Sequence, residues 1–98
     1  MNYNIEFHVE AKKELDNMDG RERILVLKQI NKIGANPFIG KELGNKAGLD
    51  LTGFKKIYVD NRKIRIVYKI IDDKLIIYIV SIGKRENLDV YKRAFDRV

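Results

Sequence analysis

Along the chain the spacing of apolar residues runs from two to helical and back to two. Tyr3, Ile5 and Phe7 alternate with polar neighbours, the period of a half-buried strand. Ala11, Leu15 and Met18 then fall at i, i+4 and i+7, which predicts one face of a short amphipathic helix, with Asp19-Gly20 as a turn or stop. Residues 21–33 carry Ile24, Leu27, Ile30 and Ile33 at helical spacing. Gly34 is a C-terminal cap candidate, and Pro37 just beyond prevents continuation. Two helices in succession form an α-hairpin. Residues 38–50 hold three glycines and no period, and read as a loop.

From Leu51 onward the pattern is β. Segments 54–59, 63–71 and 74–82 are rich in Ile, Val and Tyr and are separated by the turn-prone Asp60-Asn61-Arg62 and Asp72-Asp73, which predicts a three-stranded antiparallel meander. In residues 88–98, Val90 with Ala94 and Tyr91 with Phe95 are i, i+4 pairs that suit a short C-terminal helix. The order β-α-α-β-β-β, with that helix optional, predicts an α+β fold in which a small antiparallel sheet packs against the α-hairpin. At 98 residues the chain has room for one domain, residues 1–98.

Strand alternation distributes the charges. Lys56 and Tyr58 project from one face and Lys55, Ile57 and Val59 from the other; Lys63, Arg65 and Val67 oppose Ile64, Ile66, Tyr68 and Ile70. The apolar face should pack on the helices. The other collects Lys56, Tyr58 and Arg65, with Lys84 and Arg85 delivered nearby by the end of the last strand. Cations beside a tyrosine on a sheet suit a phosphate-lined groove for single-stranded RNA.

Composition narrows the classes. Twenty Lys and Arg against fourteen Asp and Glu leave a charge of +6, which serves solubility or an anionic partner. Without cysteine there is no disulfide framework and no thiolate metal site. The acidic residues are scattered and the single histidine, His8, has no partner at ligand spacing, so no metal and no cofactor are expected. His8 follows the first strand and reads as a helix-entry or surface residue. The first residues lack the apolar core of a signal peptide, and no apolar stretch is long enough to span a bilayer; a soluble cytoplasmic protein without membrane contact is the expectation.

Three stretches carry a resemblance to a known family: Asn36-Pro37, Lys63-Ile64-Arg65-Ile66-Val67-Tyr68, and Ile82-Gly83-Lys84-Arg85-Glu86 running to Val90-Tyr91. With the element order they cover nearly the whole chain, and the chain resembles the RelE toxins of bacterial type II toxin-antitoxin systems, within the wider RelE/ParE superfamily. The Gly-Lys-Arg-Glu-x3-Val-Tyr pattern is fairly specific, whereas Asn-Pro alone is weak. The resemblance implies a microbial-ribonuclease-like fold, a cognate antitoxin as partner, and cleavage of mRNA in the A site of a translating ribosome, with rRNA contacts. Carried over residue by residue, it makes Lys56, Arg65, Arg85 and Tyr91 the catalytic set. The family's second strand lysine corresponds here to Tyr58, a departure that removes a cation. Lys55, one residue away, lies on the opposite face.

Cleavage by 2′-OH attack on the adjacent phosphate needs a proton acceptor, positive charge on the phosphorane and a donor for the departing 5′ oxygen. No carboxylate–histidine pair is evident. Lys56 serves as base if like-charge repulsion from Arg65 and Arg85 favours its neutral form, the arginines stabilise the phosphorane, and Tyr91 stacks on or orients the nucleotide. Tyr58, Lys63 and Lys84 are RNA-binding candidates, and Glu86 reads as a partner for a neighbouring cation. Each has a plain counterpart: a solvated lysine, an arginine in an ion pair, a core tyrosine. Two other functions stay open, a ParE-like inhibitor of DNA gyrase and a catalytically weakened RNA or antitoxin binder.

Overall fold

The computed structural model describes residues 3–46, 48–84 and 89–97. Five strands form one mixed sheet in the order β1-β5-β4-β3-β2: β1 (Asn4–Phe7), β2 (Lys41–Lys46), β3 (Leu49–Val59), β4 (Ile64–Ile71) and β5 (Ile76–Lys84). β2 to β5 are antiparallel to their neighbours, while β1 runs parallel to β5 at the edge. Helices α1 (Val9–Asp16) and α2 (Gly20–Ala35) pack on one face and α3 (Asp89–Asp96) on the other. The α+β class and the C-terminal helix are as the sequence suggests; the sheet has one more strand and one parallel pairing.

The helix ends follow from local chemistry. His8 is the N-cap of α1, its Nδ1 accepting from Glu10 N at 3.0 Å, which bears out its helix-entry reading. Asp19 caps α2 by accepting from Glu22 N at 2.8 Å, and Gly20 is the first residue of that helix. Pro37 follows the helix as expected, but the cap is Asn36, not Gly34. Gly34 is buried within the last turn, where a Cβ would stand 3.3 Å from Ile5 Cδ1 and 3.6 Å from Tyr3 O. It is small because β1 passes against it.

The main core lies between the hairpin and the sheet. Ala11 and Leu15 of α1 and Val26, Ile30 and Ile33 of α2 meet Val59, Ile64, Ile66, Tyr68, Ile77, Ile79 and Ile82. Ile24 and Leu27, although at helical spacing with Ile30 and Ile33, are 55% and 41% exposed. The buried stripe runs through Val26 instead, because an i, i+4, i+7 row from Val26 faces the sheet. A second core on the opposite face joins Leu43, Leu51, Phe54, Val67 and Val80 to Tyr91 and Ala94 of α3.

The segment 38–50, expected to be a loop, contains β2. Lys41 and Glu42 pair with Lys56 and Lys55, and Gly44 to Lys46 with Leu51 to Leu49, with a register shift between Glu42 and Gly44. Such a shift breaks the period of two on which a strand reading depends. A second irregularity lies between Val67 and Tyr68, opposite Ser81 and Ile79, so Val80 is the extra residue in β5. It flips the alternation along β5, so that Ile82 faces the hairpin side with Ile77 and Ile79 while Val80 faces the α3 side.

Tyr68 fixes the entry to β2. Its buried hydroxyl donates to Pro37 O at 2.7 Å and accepts from Gly40 N at 2.9 Å. A Cβ at Gly40 would sit 2.2 Å from that oxygen, so the approach requires glycine. Asn36-Pro37 and the Arg-x-Val-Tyr stretch, separate in sequence, are thus one contact.

Candidate active site beneath the C-terminal helix

Tyr58 pairs with Arg65 and Lys56 with Val67 across β3 and β4, so alternation sets Lys56, Tyr58 and Arg65 on one face. α3 crosses that face and brings Tyr91 to it. The Lys56 ammonium donates to Tyr58 Oη at 2.9 Å and stands 4.8 Å from the ring centroid. The Arg65 guanidinium lies between two tyrosines, 5.5 Å from the Tyr58 ring and 4.8 Å from the Tyr91 ring. Cation–π contacts of this kind contribute about 0.5–2 kcal/mol each, more where water is excluded.

Burial grades the cluster. Lys56 and Arg65 are 8% and 7% exposed and Tyr91 is fully buried, while Tyr58 is half-buried. Arg65 Nε and Nη1 are buried and have no hydrogen-bond acceptor among the described residues. A desolvated guanidinium with unused donors is costly, and an anion that reached it would relieve that cost. Burial pushes the Tyr91 phenol up, opposed by Arg65 and Lys56, so Tyr91 remains a neutral phenol near neutral pH.

The β3–β4 turn adds a cation that the strand pattern does not reveal. Asp60, Asn61 and Arg62 have φ of 56°, 54° and 69°, three successive left-handed residues without a glycine. Each costs on the order of 1 kcal/mol. The turn is tied down by Arg21 of α2, whose two terminal nitrogens donate to Asp60 at 3.1 and 2.9 Å. That hydrogen bond also holds the Asp60 carboxyl below its usual range. The result places the Arg62 guanidinium 5.6 Å from the Tyr58 ring.

α3 is secured at its far end. Glu14 of α1 accepts from both terminal nitrogens of Arg97 at 2.9 Å, and Arg93 Nε stands 2.7 Å from the same carboxylate. Arg97 also donates to Val80 O at 2.8 Å, and Glu14 accepts from Ile82 N at 3.1 Å. The edge of β5 beyond the end of β1 is thereby satisfied by side chains. Nothing local in the sequence marks Glu14, which lies 83 positions from Arg97.

Four sequence-derived positions therefore come together: Lys56, Tyr58, Arg65 and Tyr91. Arg85 and Glu86 lie outside the described residues. Lys63 is exposed in the turn before β4. Lys84 lies elsewhere, on the hairpin side with Ile82, its ammonium 2.7 Å from Glu22 of α2. The expected groove is not open, because α3 buries its apolar Tyr91 and Ala94 against the sheet. Among the described residues no group of three or more His, Asp or Glu is placed to hold a metal ion, and no helix is long and apolar enough to cross a membrane.

Fold and cluster define a small α+β protein with a cationic, tyrosine-lined site under its C-terminal helix. The profile described as ParE-like toxin of type II bacterial toxin-antitoxin system matches residues 5–93. A putative RelE-like toxin protein from Escherichia coli is 35% identical, covering 100% of this chain and 99% of its own length. The mRNA interferase toxin RelE of E. coli K12 is 30% identical at the same coverage. The chain belongs to the RelE/ParE-like toxin family of type II toxin-antitoxin systems. The solved free state of an E. coli RelE mutant in which two arginines are alanines is similar at TM-score 0.82 and 28% identity, covering 100% of this chain and 99% of that one. The same mutant in complex with a peptide of the antitoxin RelB is similar at TM-score 0.72, with the same identity and coverage.

Proposed function

We propose that this chain is a ribosome-dependent, metal-independent endoribonuclease, held in check by a cognate antitoxin. The observation that carries the reading is Arg65, a buried guanidinium flanked by tyrosine rings, with donors that meet no acceptor among the described residues. A phosphate oxygen in transit to a phosphorane satisfies those donors, and the partly exposed ring of Tyr58 suits a nucleotide base. Lys56 transfers a proton, and Arg85, by its position in the family pattern, adds positive charge at the leaving group. The names of the 30% and 35% identical relatives favour RNA over gyrase as the target.

The cluster contains neither carboxylate nor histidine, so its chemistry depends on accurate placement of the RNA by something outside the protein. Cell-free translation with mapping of mRNA 5′ ends, run beside a gyrase supercoiling assay, tests this. Cleavage confined to mRNA under translation is expected, and Arg65→Ala should slow it by roughly 10² or more with ribosome affinity little changed. Robust cutting of naked RNA, or loss of supercoiling activity with intact mRNA, would overturn the proposal.

A further inference from the structure

We infer that Tyr58 is the general base of the cleavage reaction and Lys56 its general acid, joined by their hydrogen bond into one proton circuit; this rests on the ribonuclease reading above. Sequence alone makes Lys56 a candidate base, but its Nζ is placed as the donor to Tyr58 Oη at 2.9 Å, the geometry of an acid rather than of a base. The group that receives a hydrogen bond from a cation is the one whose anion is favoured. Tyr58 is also faced by Arg62 from the β3–β4 turn and by Arg65 from β4, at 5.6 and 5.5 Å from its ring. From β2, Lys41 is the cross-strand partner of Lys56 and adds a further cation to this face, and Tyr91 of α3 is kept neutral by burial. Three cations around one phenol are what a tyrosinate needs.

Exposure points the same way. Lys56 and Arg65 are almost wholly buried, whereas Tyr58 is partly exposed, so an incoming ribose would meet it first. The left-handed Asp60-Asn61-Arg62 turn, braced by Arg21, is a costly conformation whose product is the Arg62 cation beside this ring.

The step balances without any further reactant. The 2′ oxygen forms a bond to phosphorus while its proton passes to the Tyr58 phenolate. The P–O5′ bond breaks, and the 5′ oxygen takes a proton from the Lys56 ammonium, leaving a 2′,3′-cyclic phosphate and a 5′-hydroxyl. The Tyr58 phenol then returns a proton to the Lys56 amine along their hydrogen bond, restoring the starting pair.

Single-turnover cleavage on translating ribosomes, measured against pH, tests the assignment. Tyr58→Phe keeps the ring over Arg65 and removes only the oxygen; the rate should fall by roughly 10² or more, and the rise of rate with pH should flatten. Site-specific 3-fluorotyrosine at position 58, a more acidic phenol of nearly the same size, should move the wild-type inflection to lower pH. A Tyr58→Phe protein that cuts at the wild-type rate, or cuts slowly with an unchanged pH profile, would overturn the base assignment while leaving the ribonuclease reading intact. A fluorotyrosine protein with an unmoved inflection would do the same. Wild-type protein that leaves translated mRNA whole would instead remove the functional reading, and this inference with it.

Discussion

Tyr68 shows how one oxygen can hold two distant stretches together. Its hydroxyl both donates to Pro37 O and accepts from Gly40 N, and desolvation by burial pushes its ionisation up to about 12. Tyr68→Phe leaves a buried carbonyl and an amide without their partner and should destabilise the fold by about 1–3 kcal/mol in urea unfolding. Its pH signature is separate. A phenol raised in the folded state contributes stability that is fully present below the unfolded value near 10 and is lost as pH rises through 12. The wild type should therefore lose stability over that alkaline window, and Tyr68→Phe should lose less. At this scale the sequence was readable where alternation applied: Lys56, Tyr58 and Arg65 share a face, and Tyr68 faces the hairpin. It was silent on Arg62, whose role comes from a left-handed turn braced by a residue of α2.

Among the elements, α3 decides access to the site. Its i, i+4 pairs mark it as a short helix, but its position across the cationic face is not legible locally, because that depends on Val67, Val80, Phe54 and Leu51 offering an apolar bed beside the charges. Strand β2 is not legible in the sequence for a related reason: Gly44 and the register shift next to it interrupt the alternation that identifies a strand. The parallel pairing of β1 with β5 is likewise a matter of long-range topology, which a local period of two does not encode. Arg65 lies under α3, so a phosphate would reach it only if that helix shifted, a movement that the contacts of Glu14 with Arg93 and Arg97 oppose. Glu14→Ala should cost about 1–3 kcal/mol, since it also strips Ile82 N of its acceptor. Hydrogen exchange should rise in α3 well before it rises in β3 and β4. Uniform exchange across α3 and the sheet would show that the helix and sheet open as one unit.

At the scale of the whole molecule the charge of +6 is spread over cations in different surroundings, and the two expected to bind RNA differ in theirs. Lys63 is exposed in the turn that leads into β4, two residues before Arg65. Lys84 ion-pairs with Glu22 on the hairpin side. Single-stranded RNA binding measured over a range of salt separates them, because each phosphate neutralised contributes about 0.7 to the slope of log K against log salt. Lys63→Ala should weaken binding about equally for all sequences and lower that slope by roughly 0.7, while sparing the cleavage step once RNA is bound. Lys84→Ala should leave the slope unchanged and cost at most about 1 kcal/mol of stability, the usual scale of an exposed ion pair. A Lys84→Ala slope that falls as far as that of Lys63→Ala would place RNA on the hairpin side as well, and the path of the strand across this protein would have to be redrawn around α2.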